Sequence, residues 1–194
     1  ITAAMQRGTH VIRHSDPLPI GSAHLNLMST LGAIPYPVEQ IPDVVDALDT
    51  LHEELLERRR KGVGVTPKGA PRVLAICPMN YSDPRLEHLA NRMGLALVAS
   101  DFEFASEQRL SGAGIVNPDD PYDIIAQHLH QSPAQLLGGR IAIILDTCRK
   151  LDVAGVLNHY HVGCRVVAGD AMAIKDAVTR ELGIPVLTFE WENF

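Results

Sequence analysis

Residues 159–170 read HYHVGCRVVAGD, which places two histidines, a cysteine and an aspartate in one short stretch. Cys164 has Arg165 beside it and a helix expected after it. A neighbouring cation and helix amide dipoles both favour a thiolate. Thiolates ligate soft metals and iron–sulfur clusters. The ordinary alternative is a small buried thiol, since free cysteines are commonly buried. His159, His161 and Cys164 also make a His-x-His-x-x-Cys set. Alternation in an extended segment would put both histidines on one side, and with a water they could form a catalytic zinc site. No second Cys-x-x-Cys or histidine pair completes a structural zinc site, so surface or hydrogen-bonded histidines are the competing reading. Cys77 closes a short apolar run, and Cys148 falls inside a helical stretch at a buried-looking position. The sequence contains no Gly-x-Ser-x-Gly elbow, no Walker loop and no Gly-x-Gly-x-x-Gly turn. Gly112 and Gly114 do not join a strand to a helix.

These residues need elements to position them. Residues 1–37 are rich in turn formers (Pro17, Pro19, Gly21, Gly32, Pro35, Pro37) and read as irregular. Residues 42–60 form an amphipathic helix, with Val45, Leu48, Leu51, Leu55 and Leu56 at three-to-four spacing and Gly62 after the end. Glu54–Arg58 and Glu57–Lys61 fall one turn apart on it. Residues 62–71 read as a linker. Strands are predicted at 72–77, 96–100, 153–158 and 184–190. Helices are predicted at 86–93, 121–131, 136–151 and 171–182. Pro133 and the Gly138-Gly139 pair are expected to break the helical stretch between 121 and 151. Residues 101–120 read as a long loop. Asp170 is expected to cap the last helix and Gly183 to end it. Apolar strands separated by helices indicate an α/β fold: an open parallel sheet of about four strands with helices on both faces. The division expected is a helical and irregular approach segment over 1–70 and an α/β domain over 71–194. In such sheets ligands bind beyond the carboxyl ends of the strands. That makes the loops at 78–84, 101–106 and above all 159–170 the places to look.

Composition narrows the function classes. The chain has 194 residues and three cysteines, an odd number at wide spacing that makes no disulfide framework. A reducing, cytoplasmic setting is expected. A net charge of −6 and a pI of about 5.8 argue against nucleic acid as a partner. No apolar run is long enough for a membrane span, and no secretory signal is visible. The chain starts at Ile1 and stops at EWENF, residues 190–194, without a tapering tail. It reads as a piece of a longer polypeptide.

The stretch from Val153 to Phe194, reading AGVLNHYHVGCRVVAGDAMAIKDAVTRELGIPVLTFEWENF from Ala154 on, resembles the 2-hydroxyacyl-CoA dehydratase and benzoyl-CoA reductase family, and is the specific core of a resemblance that covers most of the chain. The shared pattern is a strand ending near a cysteine, a helix with a lysine, then Gly-Ile-Pro and an apolar strand ending in an acid. Lys175, Gly183-Ile184-Pro185 and Glu190 match it. The wording HVGC at 161–164 and EWENF at 190–194 is closer to benzoyl-CoA reductase subunits. The resemblance implies a subunit of two α/β domains with a four-iron four-sulfur cluster between them, this chain being the C-terminal portion. Cys164 matches the cluster ligand from that portion; Cys77 and Cys148 match none. The implied chemistry is low-potential electron transfer to a CoA thioester, reducing an aromatic ring. The implied partners are a homologous second subunit and an ATP-hydrolysing iron–sulfur activator with ferredoxin as donor. His161 is the expected proton donor, and His159, Asp170 and Glu190 are expected to line the substrate cleft. Three alternatives stay open: a 2-hydroxyacyl-CoA dehydratase subunit, a non-catalytic electron-relay or scaffold subunit, and a zinc hydrolase using His159, His161 and Cys164.

Overall fold

The computed structural model describes residues 1–31, 36–76, 85–100, 117, 119–130, 137–161 and 163–191. The chain divides into two compact units. One comprises Ile1–Val73 and Met79–Ala99, the other Leu74–Pro78 and Ser100–Phe194.

The first unit opens on helices that the sequence reading takes as irregular: α1 (Thr2–Arg13) and α2 (Ser22–Leu31). The turn formers at 17, 19 and 21 lie between them. Ala4, Met5, Val11 and Ile12 recur at helical spacing and are all buried, which outweighs the weak local signal. A methyl group on Gly8 would come within 2.8 Å of Met28 Cε on α2, a contact that the flexible methionine side chain would have to yield. Helix α3 (Ile41–Lys61) matches its expectation. It buries Leu48 and Leu55 and ends at Gly62, whose φ of +65° is the left-handed conformation glycine adopts without strain. The expected ion pairs form, Glu54–Arg58 at 2.6 Å and Glu57–Lys61 at 2.8 Å, with Arg60 also on Glu57. Both cations hold the Glu57 carboxyl below its usual range.

Residues 62–71 are not a free linker. The Val65 N–H donates to the Leu18 carbonyl, the Leu18 N–H to Thr66 Oγ1, and the Gly69 N–H to the Asp16 carboxylate. A Cβ on Gly64 would meet the Leu18 carbonyl at 2.5 Å, so only glycine fits that approach. Helix α4 (Arg85–Arg92) presents Asn91 to a buried polar network. The Ser22 N–H donates to Asn91 Oδ1, Asn91 Nδ2 donates to Ser22 Oγ and the Leu95 carbonyl, and Ser22 Oγ donates to the Leu97 carbonyl. Asn91→Ala is expected to cost about 2–4 kcal/mol, because the buried Ser22 N–H loses its acceptor. A lower midpoint in urea unfolding would register it.

Four strands make one parallel sheet: β1 (Arg72–Ile76), β2 (Ala96–Ser100), β3 (Gly155–His161) and β4 (Val186–Trp191), in the order β2-β1-β3-β4. The expected α/β class and strand number hold. β3 and β4 pair in parallel from Val156↔Val186 to His161↔Trp191. The second unit adds α5 (Pro121–His130), α6 (Leu137–Lys150) and α7 (Arg165–Leu182). The Tyr122 N–H donates to Asp120 Oδ1 where α5 begins. Gly138 and Gly139 do not break a helix. They sit in the first turn of α6, where the backbone N–H groups have no intrahelical acceptor to lose. The expected break at Pro133 and the loop at 101–116 lie outside the described residues.

Ala171, Ile174, Ala177 and Val178 form the buried stripe of α7. Asn158 Nδ2 donates to the Ala171 carbonyl at 2.8 Å, so α7 covers the sheet face carrying Val156, Asn158 and Tyr160.

Candidate functional site

Strand order β2-β1-β3-β4 has a consequence for chemistry. From β1 the chain moves outward to β2, then returns to the other side of β1 to lay down β3. The direction of winding therefore reverses between β1 and β3. In doubly wound sheets the crevice beyond the carboxyl ends of the strands at such a switch point is where ligands bind. Both strand ends belong to the second unit. β1 ends at Ile76, and the residues that follow it, Cys77 and the expected turn at 78–84, lie outside the described residues. β3 ends at His161 and leads directly to Cys164.

This loop is much shorter than the sequence suggests. The strand runs on through His159, Tyr160 and His161, and the helix starts at Arg165 rather than at 171. Val166, Val167 and Gly169 are poor helix formers, which is why the local reading delays the helix. Packing of the Ala171–Ile174–Val178 stripe and the preceding turn outweigh that preference. Asp170 is consequently not an N-cap. The N-cap is Cys164, extended at φ −95° and ψ +99°, half-buried, with its carbonyl accepting the Ala168 N–H at 2.9 Å. Its thiol is free and stands at the N-terminus of an 18-residue helix. The first N–H groups of a helix have no intrahelical acceptors and form the positive end of its dipole. No acidic side chain occupies that first turn. An anionic sulfur ligand at Cys164 is matched electrostatically by this position.

The other expected site residues are distributed differently. His159 is a strand residue, 4% exposed, its ring stacked on Phe189 at 5.5 Å between centroids. Burial pushes its pKa down to about 4, so the ring is neutral at pH 7. Glu190 is exposed on β4 and accepts a 2.8 Å hydrogen bond from the Tyr160 hydroxyl, its partner in the strand register. That bond raises the Tyr160 pKa by stabilising the protonated phenol. Tyr160 is absent from the sequence-derived candidates; finding it requires the β3–β4 register. Asp170 lies inside α7 and pairs with Arg140 of α6 at 3.2 Å, the arginine being 1% exposed. His161 occupies the last rung of β3, opposite Trp191. Cys148 is buried in α6, and desolvation pushes its thiol up to about 12, which disfavours a ligating thiolate. Among the described residues no group of three or more histidine, cysteine or acidic side chains could hold a metal ion. Among them, too, no helix is long and apolar enough to cross a membrane.

The order of the strands and the cysteine that follows β3 define a doubly wound α/β protein with a thiol at its switch point. The chain belongs to the family of the 2-hydroxyglutaryl-CoA dehydratase D-component, whose model matches residues 1–194. Among curated proteins none matches the sequence.

Proposed function

We propose that this chain serves in a subunit of an iron–sulfur enzyme that dehydrates a 2-hydroxyacyl-CoA thioester, with Cys164 as one ligand of a four-iron four-sulfur cluster. The observation that carries the proposal is the placement of Cys164. It is a free, half-buried thiol at a helix N-terminus, beyond the carboxyl end of the strand that borders the switch point. The residues present fit the cluster as one corner of its ligand shell. Cysteine thiolate is the usual donor for such clusters, and the helix N-terminus offsets their negative charge. The remaining ligands come from outside the described residues, as the family resemblance implies. When bound, the cluster supplies electron transfer at low potential.

The chain's own residues then have distinct tasks. Cys164 ligates, and Arg165, exposed beside it, adds positive charge. His161, at the end of β3, is the proton donor in this reading. His159 is neutral at pH 7, so it supports the strand rather than supplying a proton. Glu190, held by Tyr160, and Asp170, held by Arg140, remain the candidates for the cleft wall. A homologous second subunit completes the assembly, and an ATP-hydrolysing iron–sulfur activator delivers electrons from ferredoxin.

A second reading, reductive dearomatisation of an aromatic CoA thioester, is favoured by the HVGC and EWENF stretches at 161–164 and 190–194. Assay of the assembled subunits with their activator separates the two. Dehydration of a 2-hydroxyacyl-CoA without consumption of benzoyl-CoA supports the first; the reverse overturns it. His161→Gln is expected to lower kcat by about 10²-fold or more at unchanged iron content. Wild-type turnover in that variant would remove His161 from the proton-donor role.

A further inference from the structure

We propose that Asn158 is a positioning residue for Cys164, fixing the helix that carries the thiol by a directional bond to the sheet. This role rests on the reading of Cys164 as a cluster ligand. Asn158 lies on β3, before the strand ends at His161, and is buried at 0% exposure. Its Nδ2 donates to the carbonyl of Ala171 in α7 at 2.8 Å. Asn158 and Ala171 stand on either side of the turn from strand to helix, and Cys164 lies between them in the chain.

Stability does not account for an asparagine at this place. The face of β3 and the stripe of α7 around it supply Val156, Ala171, Ile174 and Val178, all buried and apolar. A helical carbonyl already accepts the N–H four residues on, so the Ala171 oxygen would not be orphaned without Asn158. The Asn158 Oδ1 is buried and has no hydrogen-bond partner among the described residues. Turning the amide over does not help it, because a carbonyl only accepts and Nδ2 must face Ala171. Thr188 Oγ1, on the residue opposite in the β4 register, is likewise buried without one. An apolar side chain in place of Asn158 would spare the fold an unpaired buried oxygen.

What an apolar side chain does not supply is direction. Burial of apolar surface is non-directional, whereas a hydrogen bond weakens steeply away from its axis. The Asn158 bond therefore sets the height and rotation of α7 on the sheet as well as its contact. The residue before Ala171, Asp170, ties the same turn to Arg140 of α6. Ala171 is about two turns from Cys164, roughly 10 Å along the axis. A helix is stiff over that length. Anchoring Asp170 and Ala171 thus places the N-cap, and with it the sulfur that a cluster would bind.

The test uses the anaerobically purified subunit, assembled with its partner, as wild type, Asn158→Leu, Asn158→Ala and Val156→Ala. Leucine keeps the branching of asparagine and removes the donor. Alanine removes the donor without adding bulk, and carries the test should Asn158→Leu not fold. Val156→Ala loses packing on the same face but leaves the bond intact. Expected in both Asn158 variants is a shifted reduction potential and an altered electron paramagnetic resonance signal of the reduced cluster, or iron lost outright, with kcat lowered about tenfold or more. Val156→Ala is expected to lower the urea midpoint and leave potential, signal and iron as in the wild type. Unchanged potential and signal at full iron in the Asn158 variants, or an equal change in Val156→Ala, overturns the positioning role. A wild type that binds no iron overturns the cluster reading, and the positioning role with it.

Discussion

Asp170→Ala is expected to lower the unfolding free energy by about 3–5 kcal/mol. Arg140 is 1% exposed and Asp170 17% exposed, at 3.2 Å. A guanidinium taken out of water costs several kcal/mol, and the facing carboxylate offsets much of that. Removing the carboxylate alone leaves the cost and deletes this part of the compensation. The pair joins the first turn of α6 to the second turn of α7, so its loss reaches the helix that Cys164 caps. Exposed pairs such as Arg180–Glu181 should contribute about 0–1 kcal/mol, because water screens them. The double substitution Arg140→Met with Asp170→Leu is expected to recover most of the lost stability, since both charges then leave the interior together. Urea unfolding of the three variants measures this. A single-variant loss under about 0.5 kcal/mol would show that the pair does not hold the two helices together.

Stability should also fall as the pH drops from 6.5 toward 4, and His159 accounts for a defined part of the fall. The ring's pKa is depressed by burial from its ordinary value of 6.5 to about 4. Above pH 6.5 both the folded and the unfolded chain hold a neutral ring. Between 6.5 and 4 only the unfolded chain takes up the proton, so protonation pulls the equilibrium toward unfolding. At about 1.4 kcal/mol per pH unit the gap is worth about 3 kcal/mol at pH 4. His159→Leu removes this dependence, whatever it does to stability at pH 7. Comparing the two pH profiles isolates the ring from the carboxylates that titrate in the same range. Parallel profiles would show that His159 is solvated in the folded chain.

Elements with strong periodicity were legible without coordinates. The leucines of α3 and Gly62 mark that helix, and the apolar run at 96–100 marks β2. Local propensity misled where packing decides. α1 and α2 were hidden by the prolines and glycines near them, though Met5, Val11 and Ile12 share a buried face. Val166, Val167 and Gly169 hide the start of α7. The early start of α7 leaves His159 in a covered strand rather than a loop, and Asp170 in an ion pair rather than a cap. Cys164 was legible from its neighbours, but the reason for its position, the switch between β1 and β3, needed the strand order. Tyr160 needed the register of β3 on β4.

The central claim is that Cys164 ligates a cluster. Iron and sulfide analysis of the anaerobically purified subunit, assembled with its partner, tests it most directly. The account predicts about four iron and four sulfide in the site of the wild type, loss of that content in Cys164→Ala, and retention in Cys148→Ala. Full iron in Cys164→Ala, or stoichiometric zinc without iron in the wild type, would contradict it.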